Sequence, residues 1–366
     1  MTDGAADPGL DVEAPLAANG ADQKRHQRVV VTKRGGPDVL KLVEEDRPEP
    51  GAGEVRVAVL AAGVSAFDLM YRRWAGWLPG SPRVPFSLGE DIVGTVDKLG
   101  PGASSLEPGQ TVAGATWGLG VGGGYAEAVC LPEADLIPVP SNMDPATAVC
   151  LVVNYLTAHL HLHGFGSAVR GERVLVHGAA GGVGTALLDL GRLAGLEMYG
   201  TASERNHELV SVMGATPIDY RKEDFVASIR SLTGEGVDVV VDPIGGARHL
   251  RRSYRALAER GRLVWLGAAA TKEKGLRVGL LSMLTLFWLR LIPDGKRVPT
   301  TPDAGAFARK HHEWYRTTLA ALLDSAAAGE IEPVVAERIP LAEAARAHAA
   351  LERGGHAGKL VLVPSA

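Results

Sequence analysis

The residues with the clearest chemical use are small ones between positions 173 and 184. Gly178, Gly181, Gly182 and Gly184 follow a short apolar run. A helix N-terminus offers unpaired backbone N–H groups and the positive end of the helix dipole, and glycines let an anion reach them. One glycine allows the tight turn, another the close approach, and another the packing of helix on sheet. The motif predicts a dinucleotide diphosphate at these glycines and Val183.

The elements that must position this motif are also visible. The pattern predicts a strand at 173–177, a helix carrying Leu187 to Leu193, and a second strand ending near Thr201. Strands alternate with helices from about 155 to 298, which predicts a parallel sheet with helices on both faces. Ligands of such sheets bind beyond the carboxyl ends of the strands. We therefore expect the loops that begin at Asp242 and Gly267 to face the cofactor.

The chain of 366 residues is long enough for two domains, and its 46% apolar residues can fill a core in each. A formal charge of −4 without a long basic run argues against a nucleic-acid partner. Cys130 and Cys150 can form neither a disulfide framework nor a cysteine-rich metal site, so a cytoplasmic location is expected. Residues 1–26 lack a signal-peptide pattern and are predicted to be a disordered tail.

The flanking segments predict a second, discontinuous domain. Residues 27–154 contain short apolar runs separated by Gly and Pro, as in a β-rich domain. Past the nucleotide-binding pattern come a helix with Phe307 and Leu322, a shorter helix ending at Gly354-Gly355, and a strand at 359–363. We predict that 299–366 returns to the first domain, with 155–298 as the nucleotide-binding domain.

One segment, residues 278–289, is apolar almost throughout. As a helix it is about 18 Å long, against roughly 30 Å for the hydrocarbon core of a bilayer, so no membrane span is predicted. A helix that is apolar on nearly all sides should be buried. The protein core, a partner subunit, or the wall of an apolar substrate cleft are all open as its environment.

Five sequence stretches together resemble the medium-chain dehydrogenase/reductase superfamily, specifically its zinc-free quinone oxidoreductase and enoyl reductase branch. They are the stretches at 50–57, 62–68, 89–94, 124–127 and 177–184. The resemblance implies an α/β protein in which a GroES-like β-barrel catalytic domain is joined to a Rossmann domain with a doubly wound parallel sheet. It also implies an active site between the two domains, and a homodimer.

The resemblance also bears on metals. Zinc-dependent relatives hold a catalytic ion through a Cys, the His of a Gly-His-Glu motif and a third ligand. This chain has Gly89-Glu90-Asp91 at that motif and Ser65 without a nearby Cys. His159 and His163 would share a helix face, but no third ligand is evident, and a histidine-rich turn at a domain junction is the plainer interpretation. No metal site is predicted.

Without a metal, an acceptor whose own structure spreads the developing charge is favoured. Hydride addition to an enone or quinone leaves an oxygen anion that a few hydrogen bonds and one proton can stabilise. We therefore expect hydride transfer from NADPH to an apolar conjugated carbonyl or quinone. By resemblance, Ser65 replaces an Asn beside the nicotinamide and Thr157 touches the nicotinamide ring. Tyr71 is a possible proton donor or a packing residue, with water as the alternative donor.

The preference between NADPH and NADH rests on the end of the second strand. Counting about 20 positions past the glycines reaches Glu204, which would bind the 2′-hydroxyl of NAD. The family pattern instead places that acid at Ala202, where the strand ends. Ser203, Arg205 and Tyr220 match positions near the 2′-phosphate in NADPH-using relatives. NADPH is the preferred cofactor, and NADH is the alternative.

Two other functions stay open at this point. The Ser at position 65 is compatible with a redox-inactive scaffold that binds NADPH, as in zeta-crystallin-like proteins. The apolar segment 278–289 is compatible with a tailoring enoyl reductase that acts on a bulky apolar intermediate. Turnover on a panel of acceptors would separate the enzyme from the scaffold.

Overall fold

The structure is a computed structural model that describes residues 24–74, 82–117, 122–267 and 276–364. The described strands are β1 (Arg25–Val31), β2 (Leu40–Asp46), β3 (Glu54–Val64), β4 (Phe86–Ser87), β5 (Asp91–Leu99), β6 (Thr111–Ala115), β7 (Ala128–Pro132), β8 (Leu136–Pro138), β9 (Arg173–His177), β10 (Glu197–Ala202), β11 (Ala215–Asp219), β12 (Val237–Asp242), β13 (Leu257–Trp265), β14 (Val335–Pro340) and β15 (Lys359–Val363). The described α-helices are α1 (Ala66–Trp74), α2 (Pro145–Cys150), α3 (Leu156–His159), α4 (Gly182–Leu193), α5 (His207–Val212), α6 (Phe225–Thr233), α7 (Ala247–Ala256), α8 (Leu276–Arg290), α9 (Ala304–Lys310), α10 (His312–Ala327) and α11 (Ala344–Arg353). Helices α2 and α3 are each followed by a π-helical segment, at Leu151–Tyr155 and Leu160–Phe165.

The nucleotide-binding half contains a five-stranded sheet in the order β11-β10-β9-β12-β13. All four strand pairs are parallel, as the alternating pattern predicts. Along β9, Val174 and Val176 belong to one buried cluster, and Leu175 belongs to another on the opposite face. Because successive strand residues point to opposite faces, this division shows that both faces are covered. The Rossmann-like sheet expected from the sequence is confirmed.

The other half is built on a larger sheet in the order β14-β15-β3-β5-β6-β8, with β7 also paired to β3. Strands β1, β2 and β4 form a separate three-stranded sheet. Strand β15 lies antiparallel to β3, with Val361 opposite Gly63. The end of the described chain therefore returns to the first half, and the mixed α/β architecture with a GroES-like half agrees with the sequence prediction.

Several predicted boundaries differ from the structure. The predicted tail of 1–26 is too long, because Arg25 and His26 already belong to β1, where they pair with Asp46 and Glu45 of β2. Opposite charges across these positions, such as Arg25 with Glu44 at 3.0 Å, extend the strand. Residues 1–23 lie outside the described residues. Strand β13 begins at Leu257 rather than at 262, and helical structure runs through 145–165 across the predicted junction at 155.

Helix α8 removes one of the three environments left open for the apolar segment, because the protein core covers only one of its faces. Its inward face carries Ser282 and Thr285, whose hydroxyls bond to backbone carbonyls one turn back, together with Leu286 and Leu289. The large apolar side chains exposed on or just after this helix are those of Leu280, Leu281, Met283, Leu284, Phe287, Trp288, Leu291 and Ile292. Among the described residues, no helix combines the length and apolar character needed to cross a bilayer.

Candidate active site

The predicted diphosphate turn has the geometry that its glycines suggest. Gly178 follows β9 with a φ of 65°, and the N–H of Gly181 donates to its carbonyl at 3.0 Å. A Cβ on Gly184 would overlap the carbonyl oxygen of Gly178, so α4 packs on the turn only without a side chain there. At Gly181 a Cβ would meet nothing closer than that carbonyl at 3.4 Å, which leaves the first turn of α4 open to a ligand. The turn therefore fits a diphosphate at Gly181, Gly182 and Val183.

Asp242 ends β12, which lies next to β9 in the sheet, but it does not present its carboxylate. Its Oδ1 accepts hydrogen bonds from the N–H groups of Ile244 and Gly245, at 2.9 and 3.0 Å, and its Oδ2 accepts from Ser253 at 2.7 Å. The side chain is fully buried. Asp242 therefore orders its loop instead of meeting the cofactor directly, which corrects the prediction. Gly267 has a φ of 134° and open space around its Cβ position.

The end of β10 brings together the residues predicted to read the ribose. Ser203 is buried at the strand end, Arg205 is exposed, and Tyr220 is exposed at the end of the neighbouring β11. Glu204, the acid that would favour NAD, is paired with Lys222 at 2.6 Å. Its charge is therefore compensated, and Lys222 adds a cation that the sequence reasoning did not include.

Arg205 reaches across to the other half of the protein. A Cβ on Gly355 would overlap the Arg205 guanidinium, so the two lie in contact. Burial lowers the pKa of the neighbouring His356, and the charge of Arg205 lowers it further. A basic group is thus held at the junction of β10 and the turn before β15. This contact was missed because nothing in the local sequence connects residue 205 with residue 355.

At the positions where zinc-dependent relatives hold their metal, this chain has a hydrogen-bonded Ser and Glu. The Ser65 hydroxyl donates to Oε2 of Glu90 at 2.9 Å and accepts from the N–H of Phe67 at 3.1 Å. Both side chains are largely buried, at 8% exposure each. An oxygen pair without thiolate or imidazole is a poor zinc site. Sequence reasoning identified both residues but not their contact.

Two neighbouring carboxyl groups, those of Asp68 and Glu90, have different environments. Asp68 accepts from the N–H of Ser65 at 2.7 Å, the N–H of Gly89 at 2.9 Å and the Tyr125 hydroxyl at 3.1 Å. Burial raises the pKa of Asp68 to about 6, and these donors hold it down. Burial, with the charge of Asp68, raises the pKa of Glu90 to about 8. Asp68 is therefore the ionised member, and Glu90 keeps its proton near pH 7.

The two remaining predicted catalytic residues are Tyr71 and Thr157. Tyr71 is half-buried, and burial together with the charge of Glu90 raises the pKa of its phenol. It therefore lies within electrostatic reach of Glu90 but is a weaker acid. Thr157 is half-buried on α3, which packs against α4 behind the glycine turn. The structure joins Ser65 to Glu90 by a hydrogen bond, places Tyr71 within electrostatic reach of Glu90, and places Thr157 on a helix that packs against α4.

A buried ion pair connects the two halves of the site. Lys359 Nζ lies 2.7 Å from Asp91 Oδ2, with both side chains enclosed, and 3.4 Å from Asn154 Oδ1. Asn154 in turn touches Gly182, where a Cβ would overlap its amide nitrogen. In addition, the N–H of Gly358 donates to the carbonyl of Ala180 at 2.9 Å. The Glu90 strand and the glycine turn are therefore held in a fixed relation by residues that the sequence analysis missed.

The structure also groups histidines. The rings of His159 and His163 lie 5.1 Å apart, as their spacing predicts, without a third ligand in the described clusters. A different set, His177, Asp242 and His249, does bring three ligand atoms within 4.8 Å of one another. The prediction of no metal site overlooked this set, because its members lie on three separate elements.

Comparison with known families agrees with the division of the chain. Residues 51–141 match the alcohol dehydrogenase GroES-like domain, and residues 213–362 match the zinc-binding dehydrogenase family. The first match covers most of the larger sheet. The second spans the later part of the Rossmann-like half and the return to the first half.

Similarity to individual proteins extends over most of the chain. The human synaptic vesicle membrane protein VAT-1 homolog is 31% identical over 345 residues, covering 92% of this chain and 86% of the relative. The rat homolog is 36% identical over 264 residues, where the match spans only 63% of its length. The human quinone oxidoreductase is 28% identical over 346 residues, covering 93% of this chain and 98% of the relative.

Solved structures show the same architecture. A mycobacterial protein complexed with NADPH is 30% identical, with a TM-score of 0.80, 93% of this chain covered and 100% of the other. The quinone oxidoreductase of Pseudomonas syringae pv. Tomato DC3000 is 29% identical, with a TM-score of 0.79 and coverage of 93% and 100%. With a Rossmann-like sheet, a GroES-like half and a glycine turn between them, the chain belongs to the medium-chain dehydrogenase/reductase superfamily, in its quinone oxidoreductase branch.

Proposed function

We propose that the protein is a zinc-independent, NADPH-dependent oxidoreductase that reduces a quinone or an α,β-unsaturated carbonyl. The observation that carries the proposal is the Ser65–Glu90 hydrogen bond at the positions of the relatives' metal ligands. A protonated carboxyl group there supports acceptors that need a hydrogen-bond donor rather than a Lewis acid. When bound, the reduced nicotinamide supplies a hydride.

Glu90 is the proposed proton donor. Hydride arriving at the far carbon of a conjugated acceptor moves an electron pair onto its oxygen, and a proton must follow to that oxygen. Glu90 holds this proton near neutral pH because burial raises its pKa to about 8. Ser65 orients the carboxyl group through its 2.9 Å hydrogen bond, and Asp68 helps keep Glu90 protonated through its own negative charge. Solvent would restore the proton after each turnover.

The test is NADPH oxidation with a panel of quinones, enones, simple aldehydes and alcohols, with a chelator and again with added zinc. We expect turnover of the conjugated acceptors under both conditions and little on the others. Unfolding is followed in parallel, so that a lost fold is distinguished from lost chemistry. Cofactor binding without turnover on any acceptor would favour the NADPH-binding scaffold instead.

The preference for NADPH is proposed to depend on Arg205. Replacing Arg205 by Ala should raise KM for NADPH by about 10- to 100-fold, since a hydrogen bond to a charged group contributes about 1.5–3 kcal/mol. KM for NADH, which lacks the phosphate, should stay nearly unchanged. Steady-state kinetics with each cofactor measure the two KM values.

A matched control for this experiment is Arg338→Ala. Arg338 is another exposed arginine, paired with Asp144 at 2.7 Å away from the nucleotide pocket, and its loss should leave both KM values unchanged. Equal losses for NADPH and NADH in the Arg205 variant would contradict a phosphate-binding role.

We also propose that the protein is a homodimer that covers the exposed face of α8. Apolar patches of this kind are uncommon on monomers and mark contact surfaces. Leu284 is 48% exposed near the middle of this face. Leu284→Glu should therefore yield monomers in analytical ultracentrifugation while the monomer stays folded. A Glu223→Gln variant, on an exposed loop elsewhere, should sediment like the wild type; an unchanged dimer in the Leu284 variant would exclude this face.

A further inference from the structure

A cluster beneath the glycine turn offers a set of metal ligands outside the proposed hydride-transfer site. His177 ends β9, Asp242 ends the neighbouring β12, and His249 lies in the first turns of α7. Their ligand atoms all lie within 4.8 Å of one another, and His249 Nε2 is 3.6 Å from Asp242 Oδ2. Zinc bonds of about 2.0–2.2 Å place tetrahedral ligands about 3.4 Å apart, so only small movements are needed.

The outer contacts of the cluster resemble those of known metal sites. His177 Nδ1 lies 3.1 Å from Thr201 Oγ1, and its Nε2 lies 3.2 Å from Ser253 Oγ, so an ion would bind Nε2 by replacing the Ser253 contact. Metal-bound histidines are usually oriented by such a bond from the other ring nitrogen. Asp242 Oδ1 is occupied by two backbone N–H groups, which leaves Oδ2 facing the histidines. Ser253 Oγ bridges that Oδ2, at 2.7 Å, and His177 Nε2, at 3.2 Å, so rotation of this hydroxyl would open the space between the two ligands.

The polar groups of the cluster do not satisfy one another fully. His249 Nε2 is enclosed, yet it has no hydrogen-bond partner within the described structure. His177 and Asp242 are fully buried, and His249 is partly buried beside them. The nearby Arg252 is paired with Asp224 at 3.0 Å. A buried carboxylate beside two imidazoles is a favourable place for a divalent cation.

We propose that His177, Asp242 and His249 bind a divalent transition-metal ion, with zinc as the best fit to the donor set. The ion would join the ends of β9 and β12 to α7 directly below Gly178, and so stiffen the diphosphate turn. Its role is structural, and it does not depend on the proposed hydride chemistry.

The test is zinc binding by the full-length wild type and by His249→Leu. His249 is chosen because it is the most exposed of the three, so its loss disturbs the core least. Zinc per chain is measured by elemental analysis after dialysis, and affinity by competition with a chromophoric chelator. We expect about one bound ion in the wild type and an affinity at least about 100-fold weaker in the variant. Zinc should also raise the unfolding temperature of the wild type but not that of His249→Leu.

The matched control is the double variant His159→Ala with His163→Ala, which removes the other histidine pair. It should bind zinc like the wild type. The proposal is overturned if the wild type binds no zinc above background, or if His249→Leu keeps the wild-type affinity. It is also overturned if the double variant is the one that loses the ion. Cobalt substitution gives a second readout, because a tetrahedral site with His and Asp ligands has a characteristic visible spectrum.

Discussion

Replacing Glu90 by Gln should lower kcat/KM for a conjugated acceptor by about 100-fold or more at pH 7. General acid catalysis contributes about 10²- to 10⁴-fold, and the Gln amide keeps the shape of the neutral side chain without an acidic proton. A 100-fold loss corresponds to about 2.7 kcal/mol of transition-state stabilisation. Stopped-flow or steady-state NADPH oxidation measures the effect.

The pH dependence makes this prediction specific to Glu90. Since the pKa of Glu90 is raised to about 8, the acid is present below that pH and is lost above it. Wild-type kcat/KM should therefore fall as pH rises through about 8, and the Gln variant should lack this decline. The free energy of unfolding changes with pH in the same direction. It should fall as pH rises from 4.5 to about 8, because Glu90 stays protonated in the folded protein while it ionises in the unfolded chain. The Gln variant should gain stability relative to wild type over that range.

Tyr71→Phe is the matched comparison, because Tyr71 is the alternative donor and lies within electrostatic reach of Glu90. Its raised pKa makes it a poor acid at neutral pH, so we expect a loss within about 10-fold and an unchanged pH profile. A larger loss in the Tyr71 variant than in the Glu90 variant would transfer the donor role to Tyr71. Wild-type rates in both variants would point to water.

Gly181→Leu should abolish measurable NADPH binding, with Kd raised at least about 100-fold, while the protein still folds. Gly181 has a φ of −75°, which any residue adopts, and a Cβ there meets only one atom, at 3.4 Å. The leucine side chain would then fill the space through which a diphosphate reaches the N–H groups of α4. Fluorescence titration gives Kd, and thermal unfolding without cofactor checks the fold.

Gly181→Ala is the control for the loss of glycine itself. A single methyl group in open space should change Kd by far less than leucine does. At 100 times Kd, NADPH should stabilise the wild type by about 2.7 kcal/mol, and this gain should disappear in the leucine variant. Wild-type affinity in the leucine variant would show that the diphosphate binds elsewhere.

Regular periodicity made much of the fold predictable. The strand at 173–177 and the final strand at 359–363 have the predicted bounds, and Gly354 ends α11 with a φ of 65°. These features depend on local chemistry, since the alternation of apolar and polar residues and the glycine that ends a helix are both determined by neighbouring residues. Pairings such as β15 with β3 needed the family resemblance, because no local pattern encodes them.

The contacts that define the site were less accessible from sequence. Glu90 and Ser65 were recognised by motif, but their hydrogen bond and the resulting pKa depend on burial that only the fold supplies. His249 was missed because its partners lie on β9 and β12. Which side of α8 faces the core was not predicted, since a segment that is apolar on all sides carries no periodicity to mark its inner face.

The buried pair of Lys359 with Asp91 has a consequence for the order of assembly. One partner begins β5 and the other begins β15, near the far end of the described chain. The large sheet can therefore close only after residue 359 has left the ribosome, whereas the five parallel strands are complete by residue 265. Contacts so distant in sequence form slowly. Until β15 is synthesised, the large sheet exposes an unpaired strand edge. The nascent chain should accordingly depend on chaperones until Lys359 has been added.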